Sequence, residues 1–311
     1  PPNAGNSSRT SSGLPLPYRE LMPNRQLAVA TSAAYPELRP DWPLLRHALA
    51  THNIEATTAV WTDPEVDWTH YDLVLANGAW DNIHHPQEFQ QWADRVAALT
   101  QLENAPAILR WNVDKRYLSV LAEHGVTTLP TTWVDPADPV VDLPDGEFVI
   151  KPTISGGGFE SARYGSQEHA AAHIHLVRLA ALGRTAMVQP YAAKVDELGE
   201  LGLIFLGSEF SHAIRKRALL QSGAGVQVDL YQQEIIIAAT PKRQQLEAAR
   251  SALQIAESLL GPTTYARVDL IPLSDGTPAV LELELLDPAL FFETNERATN
   301  RFAQVLRQRL A

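Results

Sequence analysis

The sequence predicts a mixed chain, α/β at first and α+β afterwards: a parallel-sheet unit followed by a region of antiparallel strands. Three observations carry that expectation. From Leu27 to about residue 111, strand-like and helix-like segments alternate, as they do around a parallel sheet. Beyond residue 112, apolar runs meet in pairs across Gly207-Ser208 and Asp275-Gly276, which is the mark of antiparallel hairpins. A composition of 45% hydrophobic and 20% charged residues is that of an ordinary globular, soluble protein.

The elements follow in order. LAVATSA from Leu27 reads as a strand, WPLLRHALATH (42–52) as a helix, and IEATTAVW and YDLVLANGAW as two further strands. PQEFQQWADRVAALT (86–100) is helical, with Phe89, Trp92, Val96 and Leu99 spaced by three and four. AILRW (107–111) is read as a short strand, and Asn112 as the N-cap of a helix over 113–125 that Gly125 stops. That assignment puts Lys115 in a first helical turn, where the helix dipole disfavours a cation unless an anion faces it. EFVIK (147–151), ARYG and TAMVQPY (185–191) are strands, and 170–183 is a helix. LGLIFLG and EFSHAIRKRA (201–218) form a hairpin, and LYQQEIIIAA is a strand. The clearest helix is 242–261, where Leu246, Ala249, Leu253, Ala256 and Leu260 line one face. A hairpin over 266–284 and a helix around 294–310 complete the chain. The expected units are an arm (1–26), an α/β unit (27–111), a small central unit (112–189) and a C-terminal antiparallel unit (190–311).

A net charge of −11 argues against a general nucleic-acid or anionic-membrane binder, because phosphate backbones reward basic surfaces. Cysteine is absent, which removes disulfides and thiol catalysis and fits a cytoplasmic setting. No apolar stretch approaches the roughly 18 residues that a membrane span requires. The histidines at 84, 85, 169, 173 and 175 lack the acidic neighbour of a zinc-hydrolase motif and are expected to be structural or exposed. His212 is read as a core or surface residue, and Trp80 and Asp81 as loop residues facing the cleft.

The final hairpin holds the strongest chemical signal. With Asp275-Gly276 as a two-residue turn, Ser274 pairs with Thr277, Asp269 stands opposite Glu282 and Arg267 opposite Glu284. All four charges then share one face, and directly opposed acids need a cation. Arg267 supplies one charge against three, so a divalent ion with oxygen ligands, such as Mg²⁺, is the expected partner. Between two strands lies KPTISGGGFES, whose three consecutive glycines let backbone N–H groups close on an anion. It is neither a P-loop nor a dinucleotide fingerprint. Lys151 ends the preceding strand, and Lys115, Arg215 and Lys216 add cations from other elements. Acids, lysines and a glycine flap together suggest a nucleoside-triphosphate site.

In order and spacing, NVDKRYLSVLAEHGVTTLPT, FVIKPTISGGG, VQPY, GELGLIFLGSEFSHAIRK, RVDLI and LELELLDPALFF resemble the ATP-grasp superfamily of carboxylate–amine ligases. The segments WNVDKRYL, SEFSHAIRK and LELELLDP most resemble the group typified by the O-ureido-D-serine cyclo-ligase of D-cycloserine biosynthesis. The resemblance implies an ATP-grasp fold, with a lid unit and an antiparallel floor behind an α/β unit. It also implies an ATP- and Mg²⁺-dependent ligase that makes an amide from a small carboxylate through an acyl-phosphate, with a small-molecule kinase or a non-catalytic nucleotide module as alternatives. By the same resemblance Lys115 and Lys151 contact ATP phosphates, and Ser155, Gly156, Gly157 and Gly158 form the lid. Gln189, Pro190 and Tyr191 hold adenine, and Glu200 bonds ribose. Lys216 and Arg215 face the phosphates, Arg267 stabilises the acyl-phosphate, and Asp269, Glu282 and Glu284 bind one or two Mg²⁺. Many relatives carry Asn at the position of Glu284. A homodimer is a common family arrangement. QSGAGVQVDLYQQE departs from the cyclo-ligase pattern, which weakens the transfer of that group's substrate.

Overall fold

The computed structural model describes residues 24–37, 41–228 and 235–310. The first unit is a parallel sheet: β1 (Arg25–Thr31), β2 (Ile54–Val60), β3 (Leu73–Leu75) and β4 (Gln101–Glu103), in the order β2-β1-β3-β4. α1 (Trp42–Thr51) and α2 (Pro86–Leu99) each open with a proline in the first turn, where its missing N–H costs nothing. Strand β1 buries Leu27 to Ala30 completely, as expected for a strand covered on both faces. It begins two residues inside the expected arm. Residues 1–23 of that arm, and Leu230–Glu234 of the strand expected from LYQQEIIIAA, lie outside the described residues.

Two assignments near the end of this unit are corrected. AILRW is not a strand: Pro106–Asn112 forms helix α3, and the fourth strand is Gln101–Glu103. A short apolar run cannot separate strand from helix by periodicity, and Pro106 sets the first helical turn. Asn112 ends α3 instead of capping a later helix. Its side chain donates to Leu283 O (2.7 Å) and accepts from Leu285 N (2.7 Å) and Leu286 N (3.1 Å). Helix α4 starts only at Tyr117 (Tyr117–Glu123), so Lys115 sits in the turn before it.

The central unit is an antiparallel sheet of β5 (Thr132–Val134), β6 (Phe148–Pro152), β7 (Ala162–Tyr164) and β8 (Ala186–Pro190), ordered β5-β8-β6-β7 and covered by α5 (His169–Ala181). A one-turn helix, α6 (Lys194–Leu198), leads into the third sheet. There β9 (Glu200–Leu206), β10 (Glu209–Lys216), β11 (Ile236–Ala239), β12 (Tyr265–Pro272) and β13 (Pro278–Glu284) run in the order β11-β10-β9-β12-β13. One face packs on α7 (Arg243–Leu260) and α4 through Leu203, Phe205, Val268 and Leu283. The opposite face, through Ile204, Leu206 and Tyr265, shares a core with Leu27, Val29 and α1 of the first sheet and with Phe302 and Leu306 of α8 (Arg297–Arg309). No helix among the described residues is long and apolar enough to cross a membrane.

The β12–β13 hairpin reaches the expected pairing at its charged end by a different route. Its turn has three residues: Leu273 N donates to Thr277 O (2.9 Å), and Gly276 takes a left-handed φ of +91°. Pro272 therefore faces Pro278 and Leu270 faces Val280, one step away from the two-residue register. A bulge at Leu281 then restores it, so Asp269 faces Glu282 and Arg267 faces Glu284. The bulge coincides with Val280 N turning away to donate to Thr127 O (2.8 Å).

His175 of α5 is buried against Tyr164, with neither ring nitrogen hydrogen-bonded. Burial, with the charge of Arg178, pushes its pKa down to about 4. The unfolded chain then binds the extra proton, so stability is full above pH ~6.5 and declines as pH falls toward ~4. Wild type should lose about 2 kcal/mol between pH 7 and pH 5 that His175→Leu retains. Urea-unfolding midpoints at the two pH values measure it; equal losses in both proteins refute it.

Candidate active site

Strand order assembles the charges. Lys216 (β10), Glu200 (β9), Arg267 and Asp269 (β12), and Glu282 and Glu284 (β13) lie on neighbouring strands and share the face away from α7. The central unit adds Lys151 from the end of β6, and the turn before α4 adds Lys115, whose N–H donates to Thr153 O (2.9 Å). Lys216 Nζ lies 3.0 Å from Asp269 Oδ2 and 3.2 Å from Glu200 Oε2. Lys151 Nζ lies 3.2 Å from Glu282 Oε1, and Lys115 Nζ 3.7 Å from the same oxygen. Arg267 grips Asp269 through Nε (2.9 Å) and Nη2 (2.9 Å), touches Glu284 with Nη2, and donates from Nη1 to Ala289 O (3.0 Å).

This answers how the acids are tolerated: four cations face four carboxylates, and the cations come from four different elements. Among the described residues no three acidic or histidine side chains converge on one point, because Asp269, Glu282 and Glu284 each turn to a Lys or Arg, Arg267 being shared by Asp269 and Glu284. The oxygen donors still have the chemistry that Mg²⁺ takes. The charge balance is visible in the acidities. Burial alone would raise Asp269, yet Arg267 and Lys216 hold it down at about 2. Burial pushes Glu284 up to about 7; its share of Arg267 is smaller, and Asp269 and Glu282 add to the rise. Burial raises Glu200 and lowers Lys151, so both groups hold their charge reluctantly.

The charges line a cavity of about 420 Å³. Its apolar end is made by Val149, Pro190, Tyr191, Ala192, Ile271 and Leu281. Gln189 borders it, its amide donating to Thr131 Oγ1 (2.9 Å), and Tyr191 N is already engaged by Glu147 O (2.8 Å). Ser155 to Gly158 roof the charged part, and Ser155 O accepts from Lys115 Nζ. The roof is pinned by Leu219. Gly156 faces Ile83, whose Cγ2 an added Cβ would reach only at 4.0 Å, while Gly158 packs so close to Leu219 that an added Cβ would come within 2.5 Å of it. Gln227 extends the clamp, exchanging backbone bonds with Glu160 (2.7 Å) and Ser161 (2.9 Å).

Arg215 is not brought to this cavity. Strand alternation puts it on the other side of β10 from Lys216, where Nη1 donates to Leu198 O (2.5 Å). Trp80 does line the cleft, whereas Asp81 turns away to accept from Trp61 Nε1 (2.6 Å). Asn82 and Asp287 were not foreseen: they meet across the far end of the cleft at 2.8 Å, between segments 205 residues apart. Only their position in loops facing the strand ends could have signalled them.

Residues 27–104 match the family model described as the N-terminal domain of D-cycloserine synthetase DcsG. The cycloserine biosynthesis protein DcsG of Streptomyces lavendulae is 35% identical over 294 residues, spanning 91% of this chain and 98% of that protein. The crystal structure of D-cycloserine synthetase DcsG is similar at a TM-score of 0.84 and 34% identity, covering 92% of this chain and 100% of that one. The ATP-grasp ligase PsnB, solved with a phosphomimetic variant of its minimal precursor, Mg and ADP, shares the fold at a TM-score of 0.61 and 14% identity, covering 93% and 100%. With identity and coverage of this extent, the chain belongs to the D-cycloserine synthetase family and carries the ATP-grasp fold.

Proposed function

We propose that the protein is an ADP-forming carbon–nitrogen ligase that activates a small-molecule carboxylate with ATP and joins it to a nitrogen nucleophile, on the same molecule or a second one, in natural-product biosynthesis. The observation that carries this reading is the exchangeable charge set: Lys115, Lys151, Lys216 and Arg267 held by carboxylates under a glycine roof, in a chain of this family. In this reading residues 27–111 are the substrate-side unit, 112–189 the lid and 190–311 the floor. The protein is placed in the cytoplasm and assembled as a homodimer; light scattering measures the assembly.

A triphosphate entering the cleft offers the lysines stronger partners than Glu282 and Asp269. Lys115, Lys151 and Lys216 would move to phosphate oxygens, with the adenine against the apolar end near Tyr191 and Glu200 toward the ribose. Asp269 and Glu282, released from those lysines, would hold one or two Mg²⁺ together with Glu284, whose partner is Arg267. When bound, the ion would neutralise phosphate charge in the same way as the lysines do. The substrate carboxylate oxygen attacks the γ-phosphorus, ADP leaves, and an acyl-phosphate forms. The nitrogen then attacks the acyl carbon and phosphate departs, with the nitrogen's proton passing to solvent or phosphate. Arg267, fixed by Asp269, is placed to stabilise the negative acyl-phosphate. The roof, held by Leu219 and the Gln227 backbone bonds, would keep water from the mixed anhydride.

Three outcomes are expected. A screen of carboxylates with Mg-ATP should release ADP, and added hydroxylamine should trap a hydroxamate; ADP release with a phosphorylated alcohol and no hydroxamate would indicate a kinase. Glu282→Gln should lower turnover by roughly two orders of magnitude or more while far-UV circular dichroism stays native. Unimpaired turnover removes the metal assignment. Gly202 sits beneath Asp269, where a Cβ would stand 2.9 Å from Oδ1 and 3.0 Å from Ile214 Cδ1. Gly202→Ala should therefore displace the carboxylate from Arg267 and weaken Mg-dependent ADP binding by about tenfold or more in calorimetry; wild-type affinity contradicts this.

A further inference from the structure

His212 is a buried histidine that the chemistry above does not use, and it stands beside the machinery that holds Arg267. A bulge at Ser211 turns Phe210 toward the α7 side of the sheet and leaves His212 on the same side of β10 as Ile214 and Lys216. Its Nε2 lies 2.9 Å from Leu290 O and its Nδ1 3.0 Å from Ser211 Oγ. A carbonyl only accepts, so Nε2 carries the proton, and Nδ1 receives the serine hydroxyl. Burial lowers the pKa of the ring and keeps it neutral.

The residues around Leu290 are pinned one by one. Pro288 O accepts from Asn77 Nδ2 (2.8 Å), and Ala289 O accepts from Arg267 Nη1 (3.0 Å). Phe291 adopts a left-handed φ of +51° with its ring 5.5 Å from the Arg267 guanidinium carbon, and Phe292 N donates to Asp41 Oδ2 (3.2 Å). A left-handed phenylalanine is strained and persists only where its surroundings enforce it. An aliphatic side chain at 212 would leave the Leu290 carbonyl buried and unpaired. Lysine or arginine there would set a second positive charge near Arg267. A neutral N–H donor meets both demands.

We propose that His212 is a positioning residue for Arg267: by holding the Leu290 carbonyl it fixes the 288–291 segment, whose Ala289 carbonyl and Phe291 ring orient the guanidinium. This rests on the reading of Arg267 as a group acting at the acyl-phosphate.

The test compares His212→Leu with His212→Gln, whose amide keeps a donor, in the full chain. His212→Leu should lower kcat for ADP release by about 10- to 100-fold, with KM for ATP moved less than about threefold, and His212→Gln should recover most of the loss. If His212→Leu does not fold, His212→Asn, polar but too short to reach Leu290, replaces it. A second readout needs no turnover: the Nε–H resonance of Arg267, assigned by its disappearance in Arg267→Lys, should shift or broaden in His212→Leu and stay near wild type in His212→Gln. An unchanged Arg267 resonance in His212→Leu, or wild-type kcat in that variant, overturns the proposal. Wild type that releases no ADP with any carboxylate sinks the ligase reading instead, and the resonance still decides the role of His212.

Discussion

The constraint on which the rest depends is charge neutrality on one face of the antiparallel sheet. Glu200, Asp269, Glu282 and Glu284 sit in a poorly solvated cleft, where an isolated carboxylate is expensive. The strand carrying Asp269 supplies only Arg267, so Lys216, Lys151 and Lys115 must arrive from β10, from β6 of the central sheet and from the turn before α4. Neutralising the third sheet therefore docks the central unit on it. Removing Lys216 would leave Glu200 uncompensated, at a cost of about 3–5 kcal/mol, whereas Asp269 and Glu282 each keep a second cation.

The same pairs make the site responsive. In the proposed function, phosphate oxygens would take the lysines and a divalent ion the carboxylates, so the pairs would be exchanged rather than lost. Arg267 and Lys216 hold Asp269 well below the usual carboxylate range, whereas burial pushes Glu284, opposite the shared guanidinium, up. Asp269 is thus the acid most firmly committed to charge. The glycine roof follows from packing as well as from phosphate chemistry, because Gly158 has a positive φ and no room beside Leu219 for a side chain.

How far the sequence could be read depends on which physical signal each element carried. Helix α7 was legible because its apolar face repeats at helical spacing, and the β9–β10 hairpin because its turn is flanked by apolar strands. AILRW was not legible, since five mostly apolar residues fit either periodicity and the signal lay outside them, in Pro106 of the first helical turn. Asn112 carried a capping signature but answers to a strand 171 residues away. The hairpin pairing of Asp269 with Glu282 was anticipated from the wrong turn: a three-residue loop and a bulge offset one another, and only the backbone bond from Val280 to Thr127 shows why.

The sequence by itself determined the types of group at the site: acids alternating along β12 and β13, lysines at strand ends, three glycines in a loop. Those follow from local periodicity and residue chemistry, which short stretches encode. Only the tertiary structure decided which cation neutralises which acid, that Arg215 faces away while Lys216 faces in, and that Asn82 meets Asp287 across the cleft. Those outcomes depend on strand order, on bulges that change register by one residue, and on loops meeting from distant parts of the chain. Distances of this kind are set by the packing of whole elements, which no local pattern records.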